Sequence, residues 1–124
     1  FKNLCNGKQG CVPGTSGSIS VTSELVLAGS DDGHIRIHDA MSGKIIWRMD
    51  TTQDFETVNG VPGHGGAISG GTAPIAYKGN LIVASGYGFA SRMAGNVLLV
   101  LGVEDNRPAK ELPLDNHWSN GMIV

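Results

Sequence analysis

The chain has 124 residues, of which 16% are charged and 6% aromatic, with a formal net charge of -2. That length allows one domain with a core of its own. The near-neutral balance gives no basic footprint for nucleic acid or an anionic membrane surface, and no apolar run approaches the roughly 20 residues of a spanning helix. Glycine is the outlier at 19 residues, well above the usual share of about 7%. Scattered between short apolar runs, it points to tight turns and short strands instead of helices. The chain opens at Phe1 without a leader pattern, so a processed product or a fragment is expected.

In chain order, the first feature is Cys-Asn-Gly-Lys-Gln-Gly-Cys, with Cys5 and Cys11 as its ends. Five intervening residues, two of them Gly, let the loop close as a disulfide; the other reading is two unpaired buried thiols. A structural zinc site would need two further ligands at metal spacing, and no second Cys pair exists, so no metal is assigned. A c-type haem motif is also missing. A disulfide favours a secreted or periplasmic setting.

Ser16 to Ser23 alternates, Glu24 to Ser30 is a short apolar run, and His34 to Ala40 alternates again. In the third run Ile35 and Ile37 share one face while His34, Arg36 and His38 share the other. Gly43 to Thr51 supplies a fourth run. Asp-Asp-Gly and Met-Ser-Gly turns suit the intervening hairpins, so the expectation is a four-stranded antiparallel meander. The pattern then partly recurs. Ser23 to Gly33 is echoed by Gly79 to Gly88, preceded by Ala67 to Tyr77 and followed by Gly95 to Glu104; Ser119 to Val124 is a fainter third echo. Repeats of four short strands at about 40–45 residues, stretched here by a polar Gly-rich insertion between Thr51 and Gly66, are the mark of a β-propeller. The expected organisation is a first blade at about 16–51, an inserted loop at 52–66, a second blade at 67–104 and an unassigned tail at 105–124. Two blades cannot cover their own faces and edges, so other chain segments are expected to complete the ring.

The stretch from Asp39 to Trp47 resembles the tryptophan-docking motif of pyrroloquinoline-quinone (PQQ) dehydrogenase propellers. Asp39, Gly43 and Trp47 fit that motif, Ser42 stands where Thr is usual, and Ile37 replaces a small residue. In that family the Trp packs between neighbouring blades, a structural task suited to a large flat side chain. Val58 to Gly71, Gly79 to Gly88 and Gly95 to Glu104, with Cys5 to Ser20 ahead of them, look like the C-terminal blades of polyvinyl-alcohol dehydrogenase-like quinoproteins. The resemblance implies a PQQ-dependent alcohol dehydrogenase-like propeller with Ca²⁺ beneath the quinone, the remaining blades coming from elsewhere. It also implies that the inserted loop faces the cofactor end of the ring, which makes Asn59 and His64 the candidate cofactor-binding residues. The alternative class is a non-catalytic secreted propeller serving as a binding, carrier or structural protein, because a fold does not decide a function.

Other chemistry is thinner. His34 and His38 read as exposed strand histidines, and Asp31 and Asp32 as hairpin-turn residues, since the remaining ligand positions of a calcium loop are absent. No phosphate loop or nucleophile elbow occurs. Asp54 and Glu56 carry no assignment as acid or base, no catalytic residue is named, and His117 and Trp118 sit in the unmatched tail. Trp47→Ala is expected to destabilise the fold by about 3–5 kcal/mol if the indole is buried between blades. Denaturant unfolding measures this, and a loss under about 1 kcal/mol removes the docking assignment.

Overall fold

The computed structural model describes residues 4–71 and 73–102 and the backbone of 122–123. The end of the last resembling stretch, from Val103 onward, and the tail with His117 and Trp118 otherwise lie outside the described residues. Two four-stranded antiparallel sheets hold most of the strand residues. The first has the order β1 (Ser20–Val21), β2 (Leu25–Gly29), β3 (His34–Asp39), β4 (Ile45–Asp50). Between the sheets lies a small hairpin, β5 (Asp54–Phe55) with β6 (Gly63–His64). The second sheet contains β7 (Ile75–Tyr77), β8 (Asn80–Ser85), β9 (Val97–Gly102) and β10 (Met122–Ile123), again in simple meander order. One 3₁₀ turn, Phe89–Ser91, interrupts the β8–β9 connection. The described residues are all-β, in blade-like meanders without a closed barrel, as partial propeller blades require.

Period-2 alternation decides which face of each sheet is buried. In the first sheet Leu27, Ile37 and Trp47 pair across strands, as do Gly29, Ile35 and Met49. In the second, Leu81 pairs with Leu101 and Val83 with Leu99. Leu27, Ile35, Ile68, Leu81, Val83, Val97, Leu99 and Leu101 form one buried cluster between the sheets, with Leu25, Ile37, Met49 and Phe55 packed against it. Ile68 seats on the bare Cα of Gly29: a Cβ there would overlap Ile68 Cγ2. This is a close approach that only Gly permits.

A register shift between Ile37 and His38, which pair with Trp47 and Ile45, leaves Ile46 as the extra residue of a bulge. Beside it the sheets diverge, leaving an apolar groove of about 620 Å³ lined by Leu25, Ile37, Trp47, Tyr77, Leu81 and Leu101. Trp47 keeps 40% of its surface exposed, pointing into that groove.

Two expectations shift. The strand expected over Ala67 to Tyr77 starts only at Ile75. Ahead of it the backbone bonds to the loops instead, Ala67 N–H to Met93 O and Ile68 N–H to Ser30 O. The final echo does not open a further sheet, because Met122 and Ile123 pair with Val100 and Leu99 of β9. The disulfide is present: Cys5 and Cys11 are joined, with Cα atoms 5.5 Å apart. Among the described residues no helix is long and apolar enough to cross a membrane.

Leu99 is fully buried between the sheets, so Leu99→Ala is expected to lower the unfolding free energy by about 2–5 kcal/mol. The exposed Arg48→Ala should change it by less than about 0.5 kcal/mol. Urea titration of both variants checks the difference.

Candidate functional site

Chain connectivity gathers four connections at one end of the two sheets. They are the disulfide loop, the β2–β3 turn at Asp31–Gly33, the β4–β7 insertion carrying the small hairpin, and the β8–β9 connection. Backbone hydrogen bonds stitch them together: Asp31 N–H to Gly14 O, Met93 N–H to Gly10 O, Thr51 N–H to Gly33 O and Ala67 N–H to Met93 O. Loops on a rigid scaffold are where binding groups concentrate, and here they are fixed to one another.

Beneath them lies a buried polar cluster. Arg36 donates to both carboxylate oxygens of Asp32, Nη1 at 3.1 Å and Nη2 at 2.6 Å, and to Ser30 Oγ at 2.7 Å. The His34 backbone N–H also donates to Asp32 Oδ1. Asp31 accepts from Ser16 Oγ at 2.7 Å and from Arg92 Nε at 3.2 Å. Asp31, Asp32, His34 and Arg36 are all below 9% exposed, which corrects the reading of His34 as an exposed strand histidine and of the two aspartates as plain turn residues. The turn does form, but it folds back over that face of β3, under the segment around Gly14 to Ser16. His38 is half-buried, its Nδ1 3.1 Å from Gly43 O.

Burial alone would raise the Asp32 carboxyl pKa. The Arg36 hydrogen bonds, the His34 N–H and the charges of Arg36 and His34 outweigh it and hold the group below its ordinary 3.8. Asp50 behaves alike: burial raises it, and the Thr52 hydroxyl and N–H, His34 and Lys8 bring it down on balance. A second buried cluster is neutral. Thr51 Oγ1 donates to Gly33 O at 2.7 Å and lies 2.7 Å from Ser85 Oγ, which receives the Gly66 N–H at 3.0 Å.

The inserted loop holds the two candidate cofactor residues, and they differ. Asn59 closes its own turn, its Oδ1 accepting from Thr57 Oγ1 at 2.7 Å and from Val61 N–H at 3.1 Å. His64 sits on β6 directly opposite Asp54 of β5, with Nδ1 2.7 Å from Asp54 Oδ1. Its side chain is 56% exposed and that of Asp54 93%. Its backbone is clamped by Asn96, which accepts the His64 N–H on Oδ1 at 2.8 Å and donates its own N–H to His64 O at 2.9 Å. Asp54 carried no role in the sequence, because strands two residues long leave no alternation to read. Tyr87 and Phe89 stack at 6.4 Å between ring centroids, both exposed on the β8–β9 connection.

The docking-motif residues lie at the opposite end. Asp39 Oδ1 accepts from Ser42 N–H at 2.6 Å and Ser42 Oγ at 2.5 Å. These bonds, with a smaller one from Met41 N–H, hold its carboxyl below the ordinary value against slight desolvation. Gly43 continues the turn with φ +71° and donates its N–H to Asp39 O. Ser42 thus performs the turn-closing bond that a Thr hydroxyl would make.

No family model matches the chain, and no solved structure does. Among curated proteins, it is 36% identical over 104 residues to a polyvinylalcohol dehydrogenase of Sphingopyxis sp. (strain 113P3), an alignment covering 76% of this chain and 16% of that protein. It is 30% identical over 103 residues to a lupanine 17-hydroxylase (cytochrome c) of Pseudomonas sp., covering 82% of this chain and 13% of that protein. Over 45 residues it is 36% identical to a 1-butanol dehydrogenase (quinone) of Thauera butanivorans, covering 36% of this chain and 7% of that protein. The chain resembles a segment of a PQQ-type quinoprotein. It spans about one sixth of the length of the polyvinylalcohol dehydrogenase that it matches (16%).

Among the described residues no three His, Cys, Asp or Glu side chains converge as metal ligands, and the carboxylates of Asp31 and Asp32 are engaged by Arg92 and Arg36.

Arg36→Met would leave the Asp32 carboxylate buried without its guanidinium, at an expected loss of about 3–5 kcal/mol. Because the folded-state pKa of Asp32 is depressed, its stabilisation is complete above the unfolded value and is lost as pH falls through the lower folded value. Unfolding at about pH 7 and about pH 3 should therefore show a smaller acid-induced loss in Arg36→Met than in the wild type.

Proposed function

We propose that this chain forms two consecutive blades of a PQQ-dependent alcohol dehydrogenase-like propeller, with the loop end turned toward the cofactor. The observation that carries the reading is the 36% identity to a polyvinylalcohol dehydrogenase over 76% of the chain, together with two blade-like meanders whose connections are hydrogen-bonded to one another at one end. In this reading the blades occupy about 16–51 and 67–104, with 52–66 as the inserted loop, Met122–Ile123 as the outer strand of the second blade and the rest of 105–124 unassigned. Further segments of the parent protein complete the ring and supply the Ca²⁺ and quinone sites. PQQ, when bound, accepts the electrons withdrawn from an alcohol. The chain's own residues shape the rim: His64 presents an imidazole there, Asn59 fixes the turn beside it, and the disulfide loop braces both blades.

Asp39, Ser42, Gly43 and Trp47 serve as the docking unit at the far end, where the groove beside Trp47 receives further packing in the ring. The disulfide supports a secreted or periplasmic location.

The test is the intact parent protein supplied with PQQ and Ca²⁺ and assayed with a dye acceptor on polyvinyl alcohol and on short alcohols. Dye reduction that requires both PQQ and alcohol is expected. An assembled protein that turns over no alcohol would instead favour the non-catalytic binding or carrier role.

A further inference from the structure

The His64–Asp54 pair is the closer of the two solvent-exposed ion pairs described at the loop end, at 2.7 Å against 3.7 Å for Lys8–Asp50. The Asp32–Arg36 and Asp31–Arg92 pairs have at least one carboxylate almost fully buried, and they lock the fold. His64 and Asp54 are exposed, at 56% and 93%, and an exposed pair contributes only about 0–1 kcal/mol. Stability does not explain its geometry, because other groups hold this hairpin. Asn96 brackets the His64 backbone on both sides and donates Nδ2–H to Pro62 O at 3.0 Å. Ser85 ties down Gly66. A Cβ on Gly65 would overlap Thr51 O, and one on Gly95 would overlap His64 O, so the backbone on both sides of the imidazole is packed to contact. The result is a solvent-facing ring on a backbone that cannot shift.

The carboxylate fixes the ring's chemistry. A carboxylate oxygen accepts hydrogen bonds, so across the 2.7 Å contact Nδ1 is the donor, and the neutral tautomer that fits this contact has Nε2 as its acceptor. Such a group accepts a hydrogen bond from a neutral donor, while the neighbouring carboxylate disfavours anions. The same hairpin exposes Val58 and Val61 at 64% and 53%, which suits a donor carried on a carbon chain. We infer that His64 Nε2 is a hydroxyl-binding group that takes an alcohol at the rim of the loop end, with Asp54 as its positioning residue. This deepens the dehydrogenase reading and rests on it for the identity of the alcohol as substrate.

The experiment uses the intact parent protein with PQQ and Ca²⁺, isopropanol as the probe, and the variants His64→Ala and Asp54→Asn. Asn at position 54 can donate to Nδ1 and so favour the tautomer with Nε2 protonated. Both variants are expected to raise KM for isopropanol about tenfold, the loss of one hydrogen bond, with melting temperatures unchanged. Independently of turnover, diethyl pyrocarbonate should modify His64 in the free wild type, and saturating isopropanol should protect it, as read by peptide mass spectrometry. Turnover with an unchanged KM in His64→Ala, or a raised KM without protection of His64, overturns the inference and leaves the dehydrogenase reading intact. Protection without any alcohol turnover keeps the hydroxyl site and removes the dehydrogenase reading.

Discussion

A four-stranded antiparallel sheet with apolar residues on alternate positions has a face that it cannot cover by itself, and the rest of this structure follows from how that face is covered. Leu27 and Ile35 of one meander meet Val83 and Leu99 of the next, with Ile68 inserted over Gly29. Burying that face gains on the order of 25 cal/mol per Å², far more than any single surface contact supplies. It brings the two sheets face to face and so sets which ends of the strands lie together. The opposite face of the second sheet carries Ile82, Ala84, Leu98 and Val100, all only partly covered. A sheet apolar on both sides is built to be sandwiched, which is the physical content of belonging to a propeller.

Once the sheets are stacked, their connections are forced into contact at one end, and glycine makes this possible. Backbone crosses backbone at Gly65 and Gly95 with no room for side chains, and the freed amide groups find partners across chain segments that are distant in sequence. The buried charges beneath serve the same end. Arg92 reaches Asp31 across 61 residues of chain, so the β8–β9 connection of the second meander is pinned to the β2–β3 turn of the first. Charges placed there cannot stabilise by attraction alone, because desolvation opposes them. They are tolerated because every carboxylate oxygen that matters has a donor, and no buried side-chain polar atom among the described residues lacks a partner.

The two ends of the molecule therefore differ in kind. The turn at Asp39–Gly43 is local, closed by hydrogen bonds within three or four residues, and it leaves Trp47 facing an apolar groove. The loop end is non-local and polar. It holds exposed functional groups, His64 above all, on a backbone made rigid by contacts from both meanders. Precise presentation of a side chain in a loop needs that kind of support from outside the loop.

The strands β2, β3, β4, β8 and β9 were legible in the sequence because period-2 alternation and turn chemistry are local signals. So was the Asp39–Trp47 turn, whose determinants lie within nine residues, and the closure of Cys5 with Cys11 was among the two readings that their spacing allowed. The burial of His34, Asp31 and Asp32 was not legible. It depends on Arg92 and on the segment at Gly14 to Ser16 arriving from elsewhere, and a strand's alternation does not say what will cover its polar face. Nor was the Asp54–His64 pair, because β5 and β6 exist through their contacts with Asn96 and the Thr51–Ser85 network and not through any pattern of their own. The sequence by itself determined the local elements and the kind of sheet they build, since those follow from φ/ψ preference and side-chain period. Tertiary structure alone decided which charges are buried and which histidine is presented, since both depend on chain segments brought together only when the two apolar faces close.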